Sequence, residues 1–171
     1  MTAHSRIESA EAPVSSYDLR KAGDAFRGKF LDKFVMVEQW AVDILAAAGQ
    51  KARINQPFGQ KLKAVRDLAS GTPSPFKTPD RVLSHLEGFE PFLALRARLA
   101  HAFQATAQID DQGDVVIFTP VHSSTLDRLS VVLSREEMTR LTGKLAKIAK
   151  ELADQKLKSA NPSSPLPPRP A

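Results

Sequence analysis

A chain of 171 residues with 42% hydrophobic content is long enough to bury one core and short enough for a single domain. Its 24 lysines and arginines against 19 aspartates and glutamates leave a net charge of +5, which permits contact with a phosphate backbone and equally serves solubility. The lack of cysteine excludes disulfides, thiolate metal sites and cysteine nucleophiles, the Met1 to Glu8 stretch has no apolar signal-peptide core, and no run reaches membrane-spanning length, so a cytoplasmic protein without a membrane partner is expected.

Residues 1–16 are polar and aperiodic and read as a mobile lead-in. From Tyr17 the spacing of Phe26, Phe30, Val37, Trp40, Ala41, Ile44 and Ala48 predicts one long amphipathic helix, with a soft start around Gly23 and Gly28 and a stop at Gly49. The only tryptophan belongs to this apolar face and reads as a core anchor. After the Asn55-Gln56-Pro57 turn, Phe58 to Ser70 reads as a shorter helix with Leu62, Val65, Leu68 and Ala69 inward. Lys61, Lys63 and Arg66 are expected to point away from that face, on a solvated surface.

The prolines of Gly71 to Pro79 make a loop, with Thr78 placed to cap the next helix and Pro79 at its first position. Gly88 and Pro91 leave open whether residues 81–103 form one helix or two, and His85, among Val82, Leu83, Leu86 and Phe89, reads as a partly buried structural histidine. Residues 104–133 change to strand character. Gln104 to Ile109, the Asp110-Asp111-Gln112-Gly113-Asp114 turn and Val115 to Thr119 predict a hairpin, and Arg128 to Leu133 a third short strand. The aspartates of the turn lack the length and closing glutamate of a calcium loop. Ser134-Arg135-Glu136-Glu137 is a capping box opening a helix on Met138, Leu141, Leu145, Ile148 and Leu152. The last stretch, residues 159–171, is proline-rich and reads as a disordered tail. The fold class is therefore mainly α: an up-down helical bundle of four or five helices, with a small β-hairpin or three-stranded insertion before the last helix. Residues 17–158 make the domain.

One placement within this pattern is unusual. On a helix, Phe89, Phe92, Leu93, Leu99, Ala100 and Phe103 share one stripe, and Arg96 falls near its centre. A guanidinium that keeps its proton at such a position requires water, an acidic partner or a bound anion. Arg98 lies on the opposite side, and His101 on the flank, about 140° from Arg96 around the axis. Paired with Glu38 or Asp43, Arg96 would be an interior ion pair and His101 a cap on its helix end.

Leu95-Arg96-Ala97-Arg98-Leu99-Ala100-His101 resembles the signature of HEPN domains, helical bundles in which an arginine is followed by four to six residues and a histidine. Ala97 stands where that family usually has a polar residue. The resemblance implies a metal-independent ribonuclease of toxin-antitoxin or phage-defence type, working as a homodimer. It implies His101 as acid or base at the ribose 2′-hydroxyl and Arg96 on the phosphate, with RNA and an antitoxin or other protein as partners and no cofactor. Arg98 would add a phosphate contact. Non-catalytic relatives suggest the alternative, an interaction module whose Arg96 helix is a protein-protein interface. The four histidines, His4, His85, His101 and His122, are too scattered for a metal site.

Overall fold

The first helix is opened by Ser15, whose hydroxyl accepts the Asp18 N–H at 3.1 Å and donates to the Asp18 carboxylate at 2.8 Å. The computed structural model describes residues 15–50, 56–109, 113–121 and 130–158. The expected lead-in up to residue 14, the proline-rich tail, the Asp110-Asp111 part of the turn and the start of the third predicted strand lie outside the described residues. Four helices, α1 (Ser16–Ala47), α2 (Phe58–Ser70), α3 (Pro79–Ala100) and α4 (Arg135–Ala153), and three strands, β1 (Ala102–Ile109), β2 (Gly113–Pro120) and β3 (Val131–Ser134), make a mainly helical fold with its small sheet before the last helix. No described helix is long and apolar enough to cross a membrane.

The chain divides into two compact units, one of Met1–Gly28 and Arg98–Leu141 that holds the sheet, and one of Lys29–Ala97 and Thr142–Ala171 that is helical. In the sheet-bearing unit the strands run antiparallel in the order β1-β2-β3, with Ala102 opposite Pro120, Ile109 opposite Gly113 and Val116 opposite Leu133. Gly113 takes a positive φ of 67° where the hairpin turns. Ala102, Val116, Phe118 and Leu133 share the buried face. Phe26 of α1 meets Phe118 there, ring centroids 5.9 Å apart.

The opposite face is open at one end, where Phe103 is 68% exposed and Val132 38%. Phe103 thus does not continue the α3 stripe as its spacing suggested. The helix ends at Ala100, and Phe103 is already in a strand, on the outer side.

Gly23 and Gly28 do not soften α1, which is continuous through both. Gly23 instead permits close approach, since a Cβ there would lie 2.5 Å from Gln104 Nε2 and 2.8 Å from Val116 Cγ1. Gln104 Nε2 donates to the Arg20 carbonyl at 2.8 Å, so its amide is held against the helix backbone. At its far end α1 closes with Gly49 at φ 74°, the Gly49 and Gln50 N–H groups bonding back to Ala46 and Leu45. This is the glycine stop expected from sequence.

In the helical unit the remainder of α1 buries Phe30, Phe34, Val37, Trp40, Ala41, Ile44 and Leu45. Trp40 is an anchor whose indole N–H donates to the Gln155 carbonyl at 3.2 Å. α3 is one helix, and Pro91 lies exposed within it. The loop before it returns a side chain to the core: Phe76 is fully buried and bridges to Leu157 just past α4, while Lys158 N–H donates to the Pro75 carbonyl at 2.7 Å.

The predicted capping box opens α4. Ser134 N–H donates to Glu137 Oε2 at 2.9 Å, and Glu137 N–H to Ser134 Oγ at 3.2 Å. These bonds from Ser134 hold the Glu137 carboxyl below the usual carboxylate range.

Two predictions follow from these contacts. Gly23→Ala lowers stability by about 1–3 kcal/mol through overpacking, whereas Gly28→Ala, with open space at its Cβ, raises it by about 0.5–1 kcal/mol; paired urea melts read both. A carboxyl whose folded pKa lies below its unfolded one supplies stability that is present above the unfolded value and lost as pH falls through the folded one. Stability therefore declines below about pH 4.3, and Ser134→Ala, which returns Glu137 toward its ordinary titration in an NMR pH series, removes that share of the decline.

Candidate functional site

The residues that single out the α3 stripe meet a ring cluster built by three helices. Phe34 of α1 lies 4.9 Å from Phe89, 5.4 Å from Phe30 and 6.0 Å from Phe58 between centroids. Phe58 and Phe89 meet edge to face at 6.0 Å, and Phe30 reaches Phe92 at 6.1 Å. Such tilted and T-shaped pairs set positive ring edges on negative faces.

Arg96, one turn beyond Phe92, lies over this cluster. Its Cζ is 5.8 Å from the Phe34 centroid and 6.0 Å from that of Phe58. The ring faces thus supply the electrostatic complement that a guanidinium on an apolar stripe requires. The ion pair considered from sequence does not form. Glu38 accepts from Lys61 Nζ at 2.7 Å, and Asp43 accepts from Gln39 Nε2 at 2.8 Å. Among the described residues no carboxylate lies within ion-pair distance of Arg96 and no hydrogen bond occupies its guanidinium, leaving that planar fork of donors unspent.

Lys61 reverses its expected place. It is only 5% exposed, inside α2, with its charge met by Glu38. The sequence carries little sign of this, because a lysine beside Leu62 reads as a surface residue unless the partner carboxylate on another helix is known. Arg66 stays on the surface side and pairs with Glu90 at 3.2 Å. With Lys63, Gly59, Leu62 and Leu93 they line a cleft of about 220 Å³ between α2 and α3.

A second recess of about 430 Å³ lies between α3 and α4, lined by Arg81, His85, Glu151, Asp154 and Gln155. His85 Nδ1 is 3.4 Å from Glu151 Oε2, and His85 is partly buried, as expected. Among the described residues no group of three or more histidines and carboxylates could hold a metal ion.

The two motif residues fall in different compact units. Arg96 belongs to the helical unit, and His101 to the sheet-bearing one. His101 is the exposed residue between α3 and β1, and its carbonyl accepts the Val121 N–H at 3.1 Å. Arg98 is half-buried in the same unit as His101. Comparison with protein-family models, curated proteins and solved structures finds no match to this chain.

The Lys61–Glu38 pair yields an asymmetric prediction. Glu38→Ala strands an ammonium whose side chain is 7% exposed and costs about 2–3 kcal/mol. Lys61→Met frees a carboxylate that is 35% exposed and able to hydrate, and costs less than about 1 kcal/mol. Chemical denaturation of the two variants gives that order, and the double variant recovers most of the Glu38→Ala loss.

Proposed function

We propose that the chain is a HEPN-like RNA-acting protein in which Arg96 holds a phosphate of the RNA backbone. One observation carries this reading: a half-buried guanidinium braced on two phenylalanine rings, with no carboxylate partner among the described residues. Rings fix the position of the cation without consuming its N–H donors, which is the arrangement that leaves an arginine free to fork onto phosphate oxygens. Arg98 adds a second phosphate contact that carries no sequence information.

Read together with the motif, the chemistry is metal-independent cleavage. His101, neutral, takes the 2′-hydroxyl proton as that oxygen attacks the adjacent phosphorus and the bond to the 5′-oxygen breaks, and a second histidine in a homodimer, present as imidazolium, gives its proton to the departing 5′-oxygen. Arg96 steadies the charge that grows on the phosphate. A toxin or phage-defence role, an antitoxin partner and a cytoplasmic location belong to this reading.

The same stacking favours one other reading, a non-catalytic interaction module in which Arg96 serves packing and its helix forms a protein interface. The two are separated by fluorescence anisotropy with a mixed-sequence single-stranded RNA, gel assay of cleavage in EDTA, and thermal melts. For the RNA-acting protein, Arg96→Ala weakens binding about tenfold or more and reduces the salt slope by about 1, with the melting point nearly unchanged, and His101→Ala keeps binding but abolishes cleavage. A lowered melting point in Arg96→Ala with RNA affinity untouched gives the interaction module instead.

A further inference from the structure

We infer that β1 is a self-pairing edge, and that two copies of this chain join through it into one antiparallel six-stranded sheet. The sheet order leaves β1 outermost. Natural edge strands are usually blunted by lysine, proline, a bulge or a cover. β1 has eight residues, Ala102-Phe103-Gln104-Ala105-Thr106-Ala107-Gln108-Ile109, with no charge, proline or glycine, and its register with β2 runs unbroken from end to end.

The direction of its backbone groups follows from one hydrogen bond. Val121 N–H donates to the His101 carbonyl, so the odd-numbered residues turn their backbone groups to β2 and the even-numbered ones turn theirs outward. Arg27 Nη1 takes the outward carbonyl of Ala102 at 2.9 Å. Among the described residues nothing bonds the outward backbone groups of Gln104, Thr106 and Gln108.

The occupant is specified by the strand's own order. Around Thr106 the strand reads alike in both directions: Ala105 mirrors Ala107, Gln104 mirrors Gln108, and Phe103 mirrors Ile109. An antiparallel partner related by a two-fold axis through Thr106 therefore meets like with like. The parity also fits. Thr106 with its copy and Gln104 with Gln108 become the hydrogen-bonded pairs, and Phe103 with Ile109 a non-hydrogen-bonded pair, where side chains approach most closely. Those two are exposed at 68% and 36%, on the same face as Val132.

Charge agrees with an antiparallel seam. Arg98 and His101 precede the strand in sequence, whereas Asp114 opens β2 at its far end, opposite Gln108. A two-fold pairing sets the basic end of each copy beside the acidic end of the other, twice. This inference draws on neither Arg96 nor any proton transfer, and the β1 seam is a different interface from the one the RNA reading uses, because a two-fold axis through Thr106 sets the two His101 residues about 30 Å apart at opposite ends of it.

The test uses the full chain and light scattering after size exclusion. At about 100 µM, a concentration suited to a modest interface, the wild-type chain runs at twice its single-chain mass. Phe103→Lys with Ile109→Lys sets ammonium groups opposite each other across the seam and weakens the dimer about tenfold or more. Phe103→Lys with Ile109→Glu sets opposite charges there and restores it, so a loss caused by misfolding is told apart, with circular dichroism recorded on each variant. Because the chain has no cysteine, Thr106→Cys supplies a second reading, an intermolecular disulfide under mild oxidation at the Cα separation of about 5.5 Å expected for a hydrogen-bonded pair. A wild-type monomer at that concentration, or a dimer indifferent to both charge patterns, overturns the proposal.

Discussion

Phe34 is the hub on which the helical unit depends. It touches a ring on its own helix, one on α2 and one on α3, and it carries the Arg96 guanidinium as well. Individual ring pairs are each worth about 0.5–1.5 kcal/mol beyond area burial, but a cluster with a common member ties three helices through one side chain. Remove that ring, and α2 loses its aromatic contact to α1 while Arg96 loses half of its support.

The sheet-bearing unit rests on a different constraint, closeness rather than bulk. A glycine in α1 lets Gln104 and Val116 come to where a methyl group would stand. The consequence is a sheet with one committed face, an opposite face that exposes Phe103 and Val132 but buries Val115, and an outer strand whose outward backbone groups at Gln104, Thr106 and Gln108 nothing among the described residues bonds. Cation and sheet edge are thus separate resources: one is a charge fixed by rings, the other a row of peptide groups at Gln104, Thr106 and Gln108 that nothing among the described residues bonds.

What could be read in the sequence was what is decided locally. The α2 span, the capping box at Ser134, the glycine stop at Gly49 and the hairpin rest on neighbours within a few positions, and the structure has them all. Readings failed where the deciding atom lies far along the chain. Spacing alone places Lys61 in solvent because Glu38 is on another helix, and makes Gly23 a soft point because Gln104 and Val116 are remote. Phe103 falls on the apolar stripe by spacing because nothing in Leu99-Ala100-His101-Ala102 signals the end of α3. Arg96 sits between these cases. Its need for a partner was evident from spacing alone, but that the partner would be two rings was not, since phenylalanines elsewhere in the chain look like ordinary core.

The knot formed by Phe76, Leu157 and Lys158 has a bearing on where this chain can be shortened. Residues beyond the last turn of α4 act as a latch on a loop some eighty positions earlier. Cut before that latch, the polypeptide would keep every helix and still lose the lid over one of its most deeply seated aromatic rings. The useful C-terminal boundary is therefore set by a backbone hydrogen bond and not by the end of the last helix.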